Sequence, residues 1–188
     1  MFFSFKKKKN RARHAYLIIN SLVMLSTFML VPIYALFINS MGGSVLHVSI
    51  IVSVFYLTAS LGSLSINRLI GKLNCNKRLL TVGYLMIGLG YFSLIFAFSF
   101  WHLILIQIFL GLADAIIYPS FDALFANNIN KAEEQAEWGS FESVRYFTMF
   151  AGAIVGGIVV NWAGFDVLFI LMGSLCMASF FEMLFLRE

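Results

Sequence analysis

Between His14 and Arg68 the chain carries no Lys, Arg, Asp or Glu. One membrane crossing takes about 20 apolar residues, so this stretch is too long for one helix and suits two, with the break at Asn39-Ser-Met-Gly-Gly-Ser44. Leu79 to Ala113 is equally free of charge, and Phe98-Ser-Phe-Trp-His102 near its middle suits an interfacial turn with Trp101 at headgroup level. The composition agrees: 61% of residues are hydrophobic and 12% charged, where soluble domains carry about a quarter charged. An all-α, polytopic membrane protein is therefore expected. The 21 Phe and nine Met serve lipid-facing and packing surfaces and call for no cofactor.

The expected layout is a basic cytoplasmic amino terminus over residues 1–14 and a six-helix transmembrane domain over 15–188. The helices are placed at 15–38, 45–67, 79–99, 101–126, 141–160 and 166–186. Lys6-Lys-Lys-Lys9, Arg11 and Arg13 precede the first run, where they act as a topogenic signal touching anionic headgroups rather than nucleic acid. That run is too long for the apolar region of a cleaved signal peptide and reads as a retained helix. Asn127 to Gly139 is a mixed-charge connection and Asn161-Trp-Ala-Gly-Phe-Asp166 a turn at the far interface. With the amino terminus inside, twelve of the thirteen Lys and Arg are cytoplasmic, and Arg145 lies at the cytoplasmic end of helix 5. This charge asymmetry predicts both termini in the cytoplasm of a cell bounded by this plasma membrane.

The fourth run holds the residues most open to chemistry. At about 100° per residue, Gln107, Gly111, Asp114, Tyr118 and Asp122 share a sector of roughly 80°. An acid at the centre of a spanning helix costs about 2.5 to 3.5 kcal/mol unless it faces protein or a wet cavity. A carboxyl that is neutral in one state and ionised in another is what a proton or cation coupling site needs; a structural Asp bonded to Ser, Tyr or Asn of a neighbouring helix is the alternative. On helix 1, Asn20, Thr27 and Tyr34 recur every seven residues, a face for packing or for lining a cavity. On helix 5, Glu142, Arg145, Met149, Gly152 and Gly156 share a face, followed by Gly157. The glycines permit close helix approach, while Arg145 has Glu142 or Asp122 as partner in a lock near the headgroups. Pro32 and Pro119, each about 18 residues into its run, suggest an inverted repeat of helices one to three and four to six.

No nucleophile motif, zinc-ligand spacing or phosphate-binding loop occurs, so no enzyme, metal or cofactor is expected. His14, His47 and His102 read as interfacial residues, and Cys75 and Cys176 are poorly placed to pair.

Asn67-Arg68-Leu-Ile-Gly71-Lys72, between helices 2 and 3, resembles the Gly-x-x-x-Asp-Arg-x-Gly-Arg-Arg loop of the major facilitator superfamily (MFS). Here Asn replaces the acid and one extra residue separates Arg from Gly. Gly111-Leu-Ala-Asp114-Ala-x-x-Tyr-Pro119 resembles the helix 4 pattern of that family, with Gln107 where many proton-coupled members have Arg. Gly152-x-x-x-Gly156-Gly157 resembles the helix 5 motif of antiporters without its Pro. Pro119-Ser-Phe-Asp122 through Glu142 is similar to uncharacterised bacterial members. The chain thus looks like the amino-terminal six-helix half of such a transporter, whose twelve helices form two halves with the substrate site between them.

The resemblance implies secondary transport of a small molecule or ion and a second half from a homodimer or partner chain. Asp114, Gln107, Tyr118, Asn20 and Tyr34 are then the substrate or coupling candidates. Asn67, Arg68, Gly71, Lys72, Asp122, Glu142 and Arg145 are candidates for a cytoplasmic gate, and Gly152, Gly156 and Gly157 for helix packing. The absent Arg and Pro leave the substrate open. The competing expectation is a non-transporting assembly or regulatory subunit, or a truncated half-transporter, with Asp114 as a packing residue.

Overall fold

The computed structural model describes residues 2–73 and 76–186, and the side-chain surroundings of 13–66 and 76–186. Backbone polar groups in hydrocarbon have no water to bond, and helices satisfy them within one segment. The described chain accordingly holds α1 (Phe2–Leu30), α2 (Tyr34–Ser40), α3 (Val45–Leu73), α4 (Asn76–Ser93), α5 (Phe100–Asn128) and α6 (Glu134–Phe185), with no strand. Five helical segments are long and apolar enough to cross a membrane.

Local chemistry sets the ends. Gly42, at φ +82°, closes α2 with its N–H on the Asn39 carbonyl, while the Gly43 N–H reaches Ile38. Ser99, in extended conformation, caps α5 by accepting from the His102 N–H. The two prolines behave differently. Around Pro32 the helix tightens to a 3-10 turn over Val31–Ile33 that separates α1 from α2, whereas α5 runs through Pro119 without a break.

At 52 residues α6 would measure about 78 Å if straight, more than twice the hydrocarbon thickness. It reverses at Gly164, whose φ of 82° lies in the region that favours glycine. Contacts along the first helix give the direction of each arm. Arg13 pairs with Glu137, Leu25 to Met29 meet Gly152 and Gly156, and Phe37 meets Phe165, so the first arm runs with α1. Phe37 then meets Phe169, Ser26 bonds the Met172 carbonyl and Ser179 bonds the Ile19 carbonyl, so the second arm runs against it. Among the described residues the helices therefore run as six passes, two of them supplied by α6. The turn expected over Asn161–Asp166 contracts to one residue, because glycine alone supplies the reversal.

The core sits where α1 and α4 face the second arm of α6, with Tyr84, Leu80, Phe169 and Met172 fully buried. Glycines set the closest approaches. A Cβ on Gly152 would lie 2.9 Å from the Leu25 carbonyl oxygen, and one on Gly156 would collide with the Met29 backbone. Gly157, grouped with these two in the sequence, meets nothing within 4 Å and faces outward. Gly156→Ala is thus expected to destabilise by about 1–3 kcal/mol through overpacking. Gly157→Ala is expected to be neutral or stabilising by up to about 1 kcal/mol, from helix propensity. Thermal or denaturant unfolding in detergent checks both.

Candidate functional site: a split polar stripe on the fifth helix

The polar residues of the first membrane pass, α1 with α2, tie it to α4 and α5. Asn20 and Gln107 are buried, at 4% and 7% exposure. The Tyr84 hydroxyl donates to Asn20 Oδ1 at 3.0 Å, and the Tyr91 hydroxyl donates to Thr27 Oγ1 at 2.8 Å. Gln107 Nε2 donates to the Tyr34 hydroxyl oxygen at 2.5 Å. Each member of the heptad-spaced row on the first membrane pass is thereby bonded to another helix. Tyr84 and Tyr91 were not singled out in the sequence, although they too stand seven residues apart and so share a face.

The stripe expected on α5 divides at Gly111. Gln107 is held by Tyr34, and a Cβ on Gly111 would lie 2.7 Å from the Phe55 carbonyl oxygen of α3. Below that contact the stripe opens: Asp114 is half-buried, Tyr118 is 50% exposed and Asp122 is exposed. Asp114 makes no hydrogen bond or ion pair among the described residues, and it lies within electrostatic range of Tyr91 and Tyr118. Tyr118 is within the same range of Tyr56 on α3 and Arg145 on α6, and Asp122 of Glu142.

Arg145 takes Glu142 rather than Asp122 as its partner. Its Nε donates to Glu142 Oε2 at 2.9 Å and its Nη2 reaches the same oxygen, while the guanidinium lies 5.1 Å from the Tyr146 ring centre. The i, i+3 spacing brings these two side chains together on one helix at little cost. Asn67, Arg68, Gly71 and Lys72 lie outside the residues whose side chains are described.

Arg13 and Glu137 form a further ion pair, and Lys77 bonds the Leu186 carbonyl. Both tie distant parts of the chain at the end that carries Arg13, where Phe121, Phe125, Trp138 and Phe141 also cluster. The sequence showed each charge but not its partner, which lies more than a hundred residues away. Among the described residues no three His, Cys, Asp or Glu side chains are grouped to hold a metal ion.

Three features now stand together: six apolar passes, a half-buried acid on the fourth, and a glycine-packed fifth. The family model of the Major Facilitator Superfamily matches residues 16–188. The chain belongs to the major facilitator superfamily. It is 30% identical over 134 residues to the uncharacterized MFS-type transporter YwoD of Bacillus subtilis (strain 168), a match covering 71% of this chain and 29% of that protein. It is 35% identical over 57 residues to the proton-coupled antiporter flippase LtaA of Staphylococcus epidermidis, covering 30% and 14% of the two chains. The LtaA of Staphylococcus saprophyticus is 28% identical over 80 residues, 43% of this chain and 20% of its own. The match spans less than a third of the length of each of these relatives. Membership of that family fits an integral membrane protein and the helical bundle described above.

The Gln107–Tyr34 bond is the described hydrogen bond between α5 and the helix that follows Pro32. A double-mutant cycle with Gln107→Ala and Tyr34→Phe is expected to give a coupling of about 0.6 kcal/mol, and no more than about 1.7 kcal/mol, as for interhelical bonds in membranes generally. Unfolding in detergent measures it.

Proposed function

We propose that this chain is one six-helix half of an MFS-type secondary transporter of a small solute, working with a second half that closes the open side of α5. The reading is carried by Asp114, a half-buried carboxyl with no hydrogen-bond or ion-pair partner among the described residues, on a helix otherwise apolar at that depth. An acid left unpaired at mid-membrane costs free energy, and it persists where a cavity, a proton or a cargo cation compensates it in part of a cycle. Asp114 is assigned the coupling or substrate-contacting role and Tyr118 that of its polar neighbour. Asn20, bonded to α4, and Gln107 and Tyr34, bonded to each other between α5 and α2, act from behind by holding these helices in register. The tie between Glu142 and Arg145, with Asp122 and the basic connection Asn67 to Lys72, serves as the gate at the cytoplasmic end.

The charge distribution supports an orientation with both termini in the cytoplasm and residence in the plasma membrane. A reporter fused after Glu188 is expected to be cytoplasmic; external activity contradicts the orientation.

Transport is tested in proteoliposomes holding the chain and screened against a panel of small solutes under an imposed ion gradient. A solute whose accumulation depends on the chain should lose gradient-driven accumulation with Asp114→Asn, by at least about tenfold for a true coupling residue. Unchanged accumulation removes Asp114 from that role. Lowered stability with no flux in either protein favours a non-transporting subunit in which Asp114 is a packing residue.

A further inference from the structure

Of the bonds that tie the first membrane pass to its neighbours, the one made by Tyr91 stands beside the unpaired acid. Two glycines fix how α4 lies against α5. A Cβ on Gly83 would collide with Ile117 and one on Gly90 with Leu110, so the two helices run antiparallel with these residues opposite one another. Leu110, Asp114 and Ile117, at i, i+4 and i+7, share a face. Gly111 and Ala115, on the adjacent face, are covered by α3. Asp114 therefore stands at the seam between α4 and α3. Counted from either glycine contact, it lies at the depth of Met86. A long helical side chain leans towards the amino terminus of its own helix and covers the turn before it, which brings the Tyr91 ring down towards that depth. The two groups interact electrostatically.

The hydrogen-bond inventory at this seam is incomplete. A phenol offers one donor and acceptor lone pairs. The hydroxyl of Tyr91, a residue 5% exposed, donates to Thr27 Oγ1 at 2.8 Å, and Thr27 Oγ1 in turn donates to the Val23 carbonyl at 3.0 Å. No donor reaches the Tyr91 oxygen among the described residues, and Asp114 makes no hydrogen bond among them either. A buried acceptor lacking a donor thus adjoins a carboxyl lacking a partner. The other titratable groups nearby are Tyr118, on the helix of Asp114 itself, and Cys176 of α6, in range of Tyr91. Tyr56 of α3, Arg145 of α6 and Asp122 stand in range of Tyr118.

We propose that the Tyr91 hydroxyl is the switching partner of the Asp114 carboxyl and a positioning residue for it. With Asp114 neutral, the carboxyl O–H donates to the Tyr91 oxygen while Tyr91 donates to Thr27, and the tie between α1 and α4 is made. With Asp114 ionised, the Tyr91 O–H rotates from Thr27 to the carboxylate, the stronger acceptor, and the tie is released. Tyr91 keeps its proton throughout; the proton that leaves is that of Asp114, through its open side. Charge on α5 is thereby converted into a contact between two other helices. The use of this exchange in a transport cycle rests on the transport reading, whereas the exchange itself does not.

The test is infrared difference spectroscopy across a pH jump on the full chain in lipid vesicles. It reads the C=O stretch of neutral Asp114, assigned by its loss in Asp114→Asn. Tyr91→Phe and Thr27→Val delete the same Tyr91–Thr27 bond, so a role confined to packing displaces the band alike in both. The exchange predicts opposite displacements. In Tyr91→Phe the carboxyl loses its acceptor and the band moves up in frequency. In Thr27→Val the freed hydroxyl turns to the carboxyl oxygen and the band moves down. Tyr118→Phe is expected to leave that opposition intact. Absence of any pH-dependent Asp114 band, equal displacement in the two variants, or a band that answers to Tyr118 and not to Tyr91 overturns the inference. The spectra read no flux, so opposite displacements in a protein that moves no solute contradict the transport reading alone. Flux that depends on Asp114, with a band indifferent to Tyr91, contradicts this inference alone.

Discussion

The absence of water from the hydrocarbon core governs this structure at every level. Backbone groups are satisfied inside helices, and side-chain polar groups must find one another across helices or face a region that is not lipid. On the first membrane pass Asn20, Thr27 and Tyr34 meet Tyr84, Tyr91 and Gln107. Those three bonds connect the first pass to α4 and α5 and so determine which way the stripe on α5 points. Asp114, Tyr118 and Asp122 are what remains once the inner part of the stripe has been bonded or packed away.

Close packing and polar satisfaction work together in setting the arms of α6. Gly152 and Gly156 bring the first arm onto the backbone of α1, Gly164 turns the chain, and Ser179 and Ser26 fasten the second arm with bonds to and from α1. α1 is thus clasped from two sides by one continuous stretch of chain. α3 and α5 form a separate pairing through Gly62, Gly111 and Ala115, and this leaves α5 with one edge covered and one edge open.

Much of this was legible in the sequence, and the reasons for the rest are physical. Charge-free runs located the passes, because burying a charge in hydrocarbon is penalised along the whole span. Periodicity identified the row on the first pass and the stripe on α5, since face-sharing depends on helix geometry alone. It did not identify partners. Arg13 and Glu137 stand 124 residues apart, and nothing local to either records the other. The three glycines of helix 5 read alike, yet Gly157 faces outward where Gly152 and Gly156 touch α1. Which side of a helix meets a neighbour depends on the neighbour. For the same reason Gly111 and Asp114 appeared as one polar face, although α3 covers the first and leaves the second open.

Transport along α5 requires the open part of its stripe to face a wet space rather than lipid. The most direct measurement is the reactivity of single cysteines in bilayer-embedded protein, in a background lacking Cys75 and Cys176, towards a water-soluble thiol reagent. Cysteines replacing Asp114, Tyr118 and Asp122 are predicted to react, while one replacing Leu105, which is 64% exposed on the same helix, does not. Equal protection of all four positions would mean that the stripe is covered by lipid or protein and lines no water-filled path.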